Sequence, residues 1–442
     1  MHSSRTRSPH RNGSARKLVA ALVAIGLITA ACGSDKSAKT DASNGTADTS
    51  KTSAPAGDVS PSAVFPGLGP PTGKEMVVGF VSSEGTPGLD FPDMRVDAEA
   101  TVDYLKKHGG LGGRPVKLET CAVKGSPESS QECAAQLIGK NVELVLLGLD
   151  LFPDYRTYAA ESVPVIGVLP ILPSDYQAQA LFLTGGNATT TAAMASVAKN
   201  HYGAKKVAIV SADNPGANQT EASLAAALDL ADIEHTTVKG GDNETDAGYQ
   251  GLMRAAAKDQ PDVLFSLYSD NGCVGTMRGR AALGIDIPTI TTAICSGRSV
   301  LNQVGDDALG WAFVGVQTQR ETPELAILQE ILAPALGVEP KEVDSTALGL
   351  GALSVIEIMS LAMYANAIKA GGKDVTGKSL YDYLGTTTGL EQWPSGTPVE
   401  CGTSAKYPAI CSFTFPVAEY TEGGKVETIK GLEAVSALDY LP

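Results

Sequence analysis

Short apolar runs and amphipathic stretches alternate along the chain from residue 76 to residue 335. The runs are rich in Val, Ile and Leu without regular polar alternation, which is typical of strands buried on both faces of a parallel sheet. They predict strands at Met76–Val81, Val116–Thr120, Leu144–Gly148, Val163–Val168, Lys206–Ser211, Glu234–Val238, Val263–Tyr268, Thr289–Ile294 and Ala312–Val316. The stretches between them predict helices at Met94–Lys107, Glu128–Ile138, Ala188–Asn200, Gln219–Leu230, Ala247–Lys258, Val274–Leu283 and Glu324–Ala335. We therefore predict an α/β fold with open, doubly wound parallel sheets.

One later stretch is apolar enough to suggest a membrane span. Thr346–Met363 has 18 residues and a single charge, Glu357. A span would place that carboxylate in lipid, which is costly. The stretch also follows a helix-capping pair at 344–345 and ends before Gly371-Gly372. We predict a long helix buried between a sheet and solvent.

The amino terminus has the pattern of an export signal. Five basic residues precede an apolar run of 14 residues from Leu18 to Ala31, too short to span a bilayer. Ala30-Ala31 then precede Cys32-Gly33, which resembles the bacterial lipobox except that Thr29 stands where Leu is usual. We predict a signal peptide over residues 1–31 and lipidation of Cys32. The alternative is an ordinary cleaved signal followed by an incidental cysteine.

The segment after Cys32 has the composition of a tether. Residues 33–62 consist mainly of Ser, Thr, Ala, Asp, Lys and Gly, with little to bury. We therefore interpret residues 32–73 as a lipidated cysteine and a disordered tether, which would anchor an extracytoplasmic protein to the cell membrane through lipid. Two acyl chains make such an anchor firm.

The mature chain is acidic. Without the five basic residues of the signal it has 29 basic against 49 acidic residues, a net charge of −20. Such a surface disfavours nucleic acid as a partner and disfavours docking on anionic headgroups. The folded part, 74–442, is long enough for two domains, and we expect a monomer.

Six cysteines follow Cys32 as three local pairs. The pairs are Cys121–Cys133, Cys273–Cys295 and Cys401–Cys411, with 11, 21 and 9 residues between partners. Zinc sites usually have two to four residues between cysteines, and no histidine lies near a cysteine in the mature sequence. Three disulfides suit an exported protein. We predict no metal, no cofactor and no catalytic residue, since the common hydrolase, metalloprotease and phosphate-loop motifs are absent as well.

An ordered series of motifs is similar to one family. LKKHGGLGGRP at 105–115, followed by a strand, resembles the signature of the leucine/isoleucine/valine-binding family of ABC-transporter solute-binding proteins. Further matches follow in family order at 126–128, 134–148, 160–167, 192–210, 262–290 and 365–384. The last fifty residues match poorly, and Cys401–Cys411 looks like a local addition.

The resemblance implies two lobes of the type I periplasmic binding protein fold, joined by a hinge with three crossings. Lobe 1 would comprise 74–187 and 318–388, and lobe 2 would comprise 188–317 and 389–442. The crossings are expected near Gly185–Ala188, near Gln317–Arg320 and after Thr388. A small molecule would bind between the lobes and pass to a membrane permease.

Ligands of open α/β sheets bind beyond the carboxyl ends of the strands. The loops expected there are Ser82–Pro87, Gly148–Leu151, Leu169–Pro173, Asp213–Gly216, Tyr268–Gly272 and Ile294–Gly297. The predicted ligand-binding residues are Ser82, Ser83, Glu84, Leu149, Asp150, Leu169, Ile171, Asn214, Ser269, Asp270 and Ser296. Each of these loops is also ordinary turn and helix-cap chemistry, so ligand contact and capping both remain open.

The sequence departs from amino-acid binders of the family where they hold the amino acid. The loops after the third and fourth strands lack the expected hydroxyls, and the loop after Thr289–Ile294 lacks the expected acid. Unpartnered buried charges are costly, so a zwitterion fits poorly unless Asp150 or Asp270 replaces the missing groups. We predict a largely apolar organic acid or amide, with a branched-chain amino acid as the family default. The alternative function is a ligand-sensing domain, which is expected to carry a further span or signalling domain.

Overall fold

The structure is a computed structural model, and it describes residues 68–86, 90–315, 322–343, 351–422 and 425–442. The predicted signal peptide, the lipidation of Cys32 and nearly all of the tether lie outside the described residues. So does the predicted second crossing at Gln317–Arg320.

The first sheet has five strands, and its elements follow the predicted alternation. In chain order they are β1 (Met76–Ser83), α1 (Pro92–Leu105), β2 (Val116–Val123), α2 (Pro127–Gly139), β3 (Leu144–Leu147), α3 (Tyr155–Ala160), β4 (Val165–Gly167) and β5 (Leu181–Phe182). All pairings are parallel, in the order β2-β1-β3-β4-β5. The two-residue strand β5 and the short helix α3 were not predicted.

The next segment repeats this pattern. It contains α4 (Gly186–Ser196), β6 (Lys206–Ala212), α5 (Pro215–Leu230), β7 (Glu234–Gly240), α6 (Asp246–Ala257), β8 (Val263–Leu267), α7 (Asp270–Ala282), β9 (Thr289–Thr292), α8 (Arg298–Val304) and β10 (Trp311–Val314). A π-helical turn, Val197–His201, prolongs α4. Strand β9 is shorter than predicted because Ala293–Ser296 forms a 3₁₀ turn.

The remaining elements include two strands of the second sheet and two separate two-stranded sheets. They are α9 (Pro323–Leu336), α10 (Gly351–Ala370), α11 (Gly377–Thr386), β11 (Leu390–Gln392), β12 (Thr397–Val399), β13 (Thr414–Phe415), β14 (Val417–Thr421), β15 (Lys425–Thr428) and β16 (Val435–Ser436). Strands β14 and β15 add antiparallel to the second sheet, whose order is β15-β14-β10-β9-β8-β6-β7. The predicted α/β fold with parallel, doubly wound sheets is therefore confirmed, with an antiparallel edge that the sequence did not reveal.

Helices cover both faces of each sheet. On the first sheet, α1, α9 and α10 share a core with Phe80 and Leu146, whereas α2 packs on the opposite face with Val81 and Leu147. On the second sheet, α4 and α5 share one core, while α6 and α7 pack on the other face. Two-sided coverage explains why the strands read as continuous apolar runs.

Among the described residues, α10 alone is long and apolar enough to cross a membrane. Its 18-residue apolar window is 72% buried, and Val355, Ile358, Met359 and Leu361 belong to the core of the first sheet. The helix is also bonded to α1, since the Gly351 N–H donates to Asp93 Oδ2 over 2.9 Å. The prediction of a buried helix is confirmed over the described part, 351–363.

The glycine-rich turn after α1 has a left-handed backbone. Gly110 has a φ of +60°, and a β-carbon there would lie 2.0 Å from the Arg114 carbonyl oxygen. Gly112 has a φ of +61° and lies against the Ala365 carbonyl of α10. Glycine is therefore required for both the turn and the close approach of α10.

The described chain passes between the two sheets in three places. It passes between β5 and α4, between β10 and α9, and between Cys411, in the core of the first sheet, and Val417, in that of the second. Leu390, Trp393 and Val399 also pack in the first core. We therefore propose that the third crossing and its domain boundary lie after residue 411, later than the expected position after Thr388.

All three predicted disulfides are formed. Cys121–Cys133 joins β2 to α2, Cys273–Cys295 joins α7 to the turn after β9, and Cys401–Cys411 closes a loop beyond β12. The local pairing predicted from the spacing is confirmed.

Candidate functional site

The loops at the carboxyl ends of the strands form two groups, one on each sheet. We call those after β1, β3 and β4 the first-sheet loops and those after β6, β8 and β9 the second-sheet loops. Backbone bonds join the first group, since the Ser83 N–H donates to the Leu149 carbonyl over 2.7 Å. The β8 and β9 ends of the second group are tied by Cys273–Cys295. These contacts bring together the loops after β1 and β3 on the first sheet and those after β8 and β9 on the second.

The loop after β1 combines buried hydroxyls with a paired acid. Ser82 and Ser83 are buried, and Ser83 Oγ has no hydrogen-bond partner among the described residues. Glu84 instead forms a two-bond ion pair with Arg95 of α1, both contacts being 2.9 Å. The Arg95 guanidinium lowers the pKa of Glu84. Of the predicted residues here, Ser83 has unused hydrogen-bonding capacity, while Glu84 is neutralised within the protein.

In the loop after β3, Asp150 serves the loop itself. Its Oδ1 accepts from Ser130 Oγ of α2 over 2.8 Å and from the Phe152 N–H over 2.9 Å. Burial raises the pKa of Asp150, against the opposing effect of these two bonds. Leu149 packs partly against the first core, and Phe152 is 40% exposed. The sequence identified Asp150 but not this internal role.

The loop after β4 is organised by Asp175, which sequence reasoning missed. This carboxylate is buried, and its Oδ2 accepts from the N–H groups of Ile171 and Leu172 over 2.9 and 2.8 Å. Its Oδ1 accepts from the Tyr155 hydroxyl over 3.0 Å. The sequence did contain a signal for this role, because an acid two residues after Pro173 can cap the turn that the proline begins. The result is a fixed loop in which Leu169, Ile171 and Leu172 remain partly exposed.

In the loop after β6, Asn214 is a helix cap. Its Oδ1 accepts from the Ala217 N–H over 2.9 Å at the start of α5, and its Nδ2 donates to Asp242. Asp213 beside it is exposed. The capping role that the sequence left open is therefore realised, and a ligand role for Asn214 remains a prediction.

The loops after β8 and β9 present helix and turn starts. Ser269 precedes α7, makes no side-chain capping bond and is exposed. The side chain of Asp270 is not among those that the structure describes. Ser296 is buried, and its hydroxyl donates to the Ala293 carbonyl over 2.8 Å. Ile294 is 59% exposed. Ser269 and Ile294 are therefore open to solvent, whereas Ser296 is used internally.

A cavity of about 270 Å³ lies where the three chain passages meet, and we call it the hinge cavity. Its lining includes Thr184 and Asn187 from the first passage, Gly315 from the second and Thr414 from the third. Ile294, from the loop after β9, lies in it too. The cavity brings one second-sheet loop together with the segment that follows β5.

The first-sheet loops combine internally bonded acids with partly exposed apolar side chains. The acids of the first-sheet loops are held by protein donors, and no group of three potential metal ligands occurs among the described residues. Apolar side chains are partly exposed beside them. Two doubly wound α/β sheets connected by three chain passages define the class of bilobal solute-binding folds.

The comparisons identify the family within that class. Residues 76–399 match the periplasmic binding protein family, and the chain belongs to it. This is a family of substrate-binding proteins rather than enzymes. No curated protein matches the sequence.

Solved structures with this fold cover most of the chain. An ABC transporter substrate-binding protein from Sphaerobacter thermophilus is 19% identical, with a TM-score of 0.61 over 80% of this chain and 96% of its own. The branched-chain amino acid binding protein LivJ of Streptococcus pneumoniae, in complex with isoleucine, is 17% identical, with a TM-score of 0.56 over 80% and 99%. A solute-binding protein from Rhodopseudomonas palustris, in complex with benzoate, is 16% identical, with a TM-score of 0.56 over 82% and 97%. The fold is shared by proteins with different ligands.

Proposed function

We propose that this protein is the extracytoplasmic solute-binding lipoprotein of an ABC importer. Its two lobes would capture a small molecule between the first-sheet and second-sheet loops and deliver it to the permease. Cys32 would carry the lipid that anchors the protein to the cell membrane. Membership of the periplasmic binding protein family supports the binding role and the extracytoplasmic location.

We propose a largely apolar organic acid or amide as the ligand. The observation that carries this proposal is the contrast within the first-sheet loops. Glu84, Asp150 and Asp175 are held by protein donors, while Leu169 and Ile171 remain partly exposed. Glu84 is ion-paired with Arg95, and Asp150 and Asp175 already accept bonds from backbone N–H and hydroxyl groups. A ligand ammonium would have to compete with these donors, whereas a hydrocarbon group would bury apolar surface.

The second-sheet loops are suited to the polar end of such a ligand. Ser269 makes no capping bond at the start of α7, and the positive end of a helix favours an anionic group. Related structures support both ligand classes, because they include complexes with benzoate, with 3,4-dihydroxybenzoic acid and with isoleucine. A branched-chain amino acid remains the default from the family resemblance.

A thermal-shift screen tests the ligand class. The purified soluble domain would be screened against benzoate, 4-methylpentanoate, 4-methylpentanamide, leucine, isoleucine and valine. We expect the acids or the amide to raise the melting temperature more than the amino acids do. Micromolar or tighter binding of leucine, isoleucine or valine would restore the default.

Deletion of the gene tests transport against sensing. Uptake of the radiolabelled ligand should fall in the deletion strain and return with wild-type protein. Protein with Cys32→Ser should be released or remain an unprocessed precursor. Unchanged uptake, with loss of a transcriptional response to the ligand, would favour the sensing domain.

A further inference from the structure

We infer that the hinge cavity is a second binding site, which takes a small uncharged molecule with a hydrogen-bond-accepting oxygen on a short hydrocarbon group. The cavity shares Ile294 with the proposed solute site, but its unpaired polar groups come from other segments of the chain. Two of its central residues, Ser412 and Thr414, lie beyond residue 399, where the family match ends.

Three polar atoms at this cavity have no hydrogen-bond partner among the described residues. They are Gln392 Nε2, Ser412 Oγ and Thr414 Oγ1, and all three residues line the cavity. The Gln392 and Ser412 residues are 7% and 4% exposed. Buried polar atoms in folded proteins almost always have a partner. Three such exceptions around one cavity are groups that a bound guest could satisfy.

The unpaired atoms specify the hydrogen-bonding character of the guest. The Gln392 amide nitrogen only donates, and the two hydroxyls can each donate or accept. A carbonyl or ether oxygen of the guest could accept from this amide, and the hydroxyls could satisfy its remaining groups. The guest therefore needs at least one acceptor oxygen.

The rest of the lining sets the charge and size of the guest. No charged side chain occurs among the lining residues that the structure describes, so an ionised guest would be buried without a counter-charge. Val314, Leu353, Ile356 and Phe415 provide an apolar wall. A volume of about 270 Å³ lies below the range for drug-sized ligands. These properties favour a short aliphatic amide or a molecule of similar chemistry.

Butanamide and its charged counterparts provide the test. The three probes are butanamide, butanoate and butylammonium. Butanoate has nearly the same shape as butanamide but is charged, whereas butylammonium is charged and also lacks an acceptor oxygen. They would be titrated by ligand-observed NMR into mature wild-type protein and into Gln392→Leu, Ser412→Ala and Thr414→Val. We expect saturable butanamide binding to wild type, with both charged probes at least tenfold weaker. Each variant should lose about tenfold in affinity.

Stability separates a binding role from a structural one. The Thr414 hydroxyl makes no hydrogen bond within the described protein, so replacing it with a methyl group should not lower stability. Without probe, Thr414→Val should therefore have a melting temperature at least as high as that of wild type. Thr421→Val is the matched control, because the Thr421 hydroxyl lies outside the cavity and donates to the Lys425 carbonyl. Thr421→Val should bind butanamide as wild type does. Leu169→Ser, in the first-sheet loops, removes any contribution from butanamide binding between the lobes, and Thr414→Val should lose affinity in this background as it does in wild type.

Two results would overturn the inference. One is the absence of saturable butanamide binding to wild type, which would mean that the cavity holds only ordered water. The other is wild-type affinity in Ser412→Ala and Thr414→Val, which would place any bound butanamide elsewhere.

Discussion

The first-sheet and second-sheet loops are positioned by different means. In the first group, the carboxylate of Asp175 holds two backbone N–H groups and leaves apolar side chains partly exposed. In the second, a helix cap at Asn214 and the disulfide Cys273–Cys295 hold the loops, and Ser269 is exposed. One side of the proposed site is therefore suited to hydrocarbon, while the other presents polar helix starts.

The largest expected effect comes from removing Asp175. Asp175→Ala would leave the N–H groups of Ile171 and Leu172 and the Tyr155 hydroxyl unpaired, at a cost of about 4 kcal/mol in the free energy of unfolding. Urea denaturation measures this cost. Asp213→Ala, in an exposed position of the second group, is the matched control and should stay within about 0.5 kcal/mol of wild type. If both substitutions lower the free energy of unfolding equally, Asp175 does not hold its loop in the way proposed, and the two groups of loops do not differ in this respect.

The next effect belongs to the second group. Replacing Cys273 and Cys295 together by Ala removes a cross-link that spans 22 residues, and loop-closure entropy predicts a loss of about 3 kcal/mol. The same change at Cys121 and Cys133, which span 12 residues, should cost slightly less. Thermal unfolding of both double variants makes the comparison. A loss at Cys121 and Cys133 that clearly exceeds the other would show that the cross-link is not what holds the second-sheet loops.

The apolar surface of the first group should appear in ligand affinity. Leu169→Ala should weaken binding of 4-methylpentanoate about tenfold, because part of the hydrocarbon contact is lost. Leu230→Ala, at an exposed position of α5, is the control and should leave affinity unchanged. Calorimetry provides both values. An unchanged affinity for Leu169→Ala would exclude this side chain from the site.

The smallest effect concerns the Glu84–Arg95 pair and depends on pH. Because Arg95 lowers the pKa of Glu84, the pair stabilises the fold at neutral pH and loses this contribution as the pH falls through the lowered value. Glu84→Gln should therefore cost about 1 kcal/mol at pH 7. The gap to wild type should close well below pH 4.5, the ordinary value for Glu. A gap that persists in acid would show that packing, rather than charge, accounts for the loss.

Sequence periodicity predicted the layers of this fold, because strands buried on both faces and amphipathic helices leave repeating patterns. The glycine-rich motif at 105–115 was also recognised in the sequence, and at Gly110 the backbone conformation and a close contact require glycine. Local cysteine spacing predicted all three disulfides.

The unpredicted features depend on contacts between distant residues. Asp175 bonds Tyr155, 20 positions away, and Thr414 and Gln392 meet the loop after β9 only in the folded chain. Strands β13 to β16 are short and pair antiparallel, β13 with β16 in a separate small sheet and β14 with β15 at the edge of the second sheet, so their pattern is weak. Ligand contact by Asp150 or Asn214 depends on where the ligand lies, so these two roles stay predictions.

The most direct test of the central claim compares leucine with 4-methylpentanoate, which is leucine without its amino group. Both would be titrated calorimetrically into the same preparation at pH 7. If the site receives hydrocarbon and lacks a partner for an ammonium, 4-methylpentanoate should bind at least tenfold more tightly than leucine. If leucine instead binds at least tenfold more tightly than 4-methylpentanoate, the proposed ligand class is wrong, because such binding requires a carboxylate that recognises the ammonium.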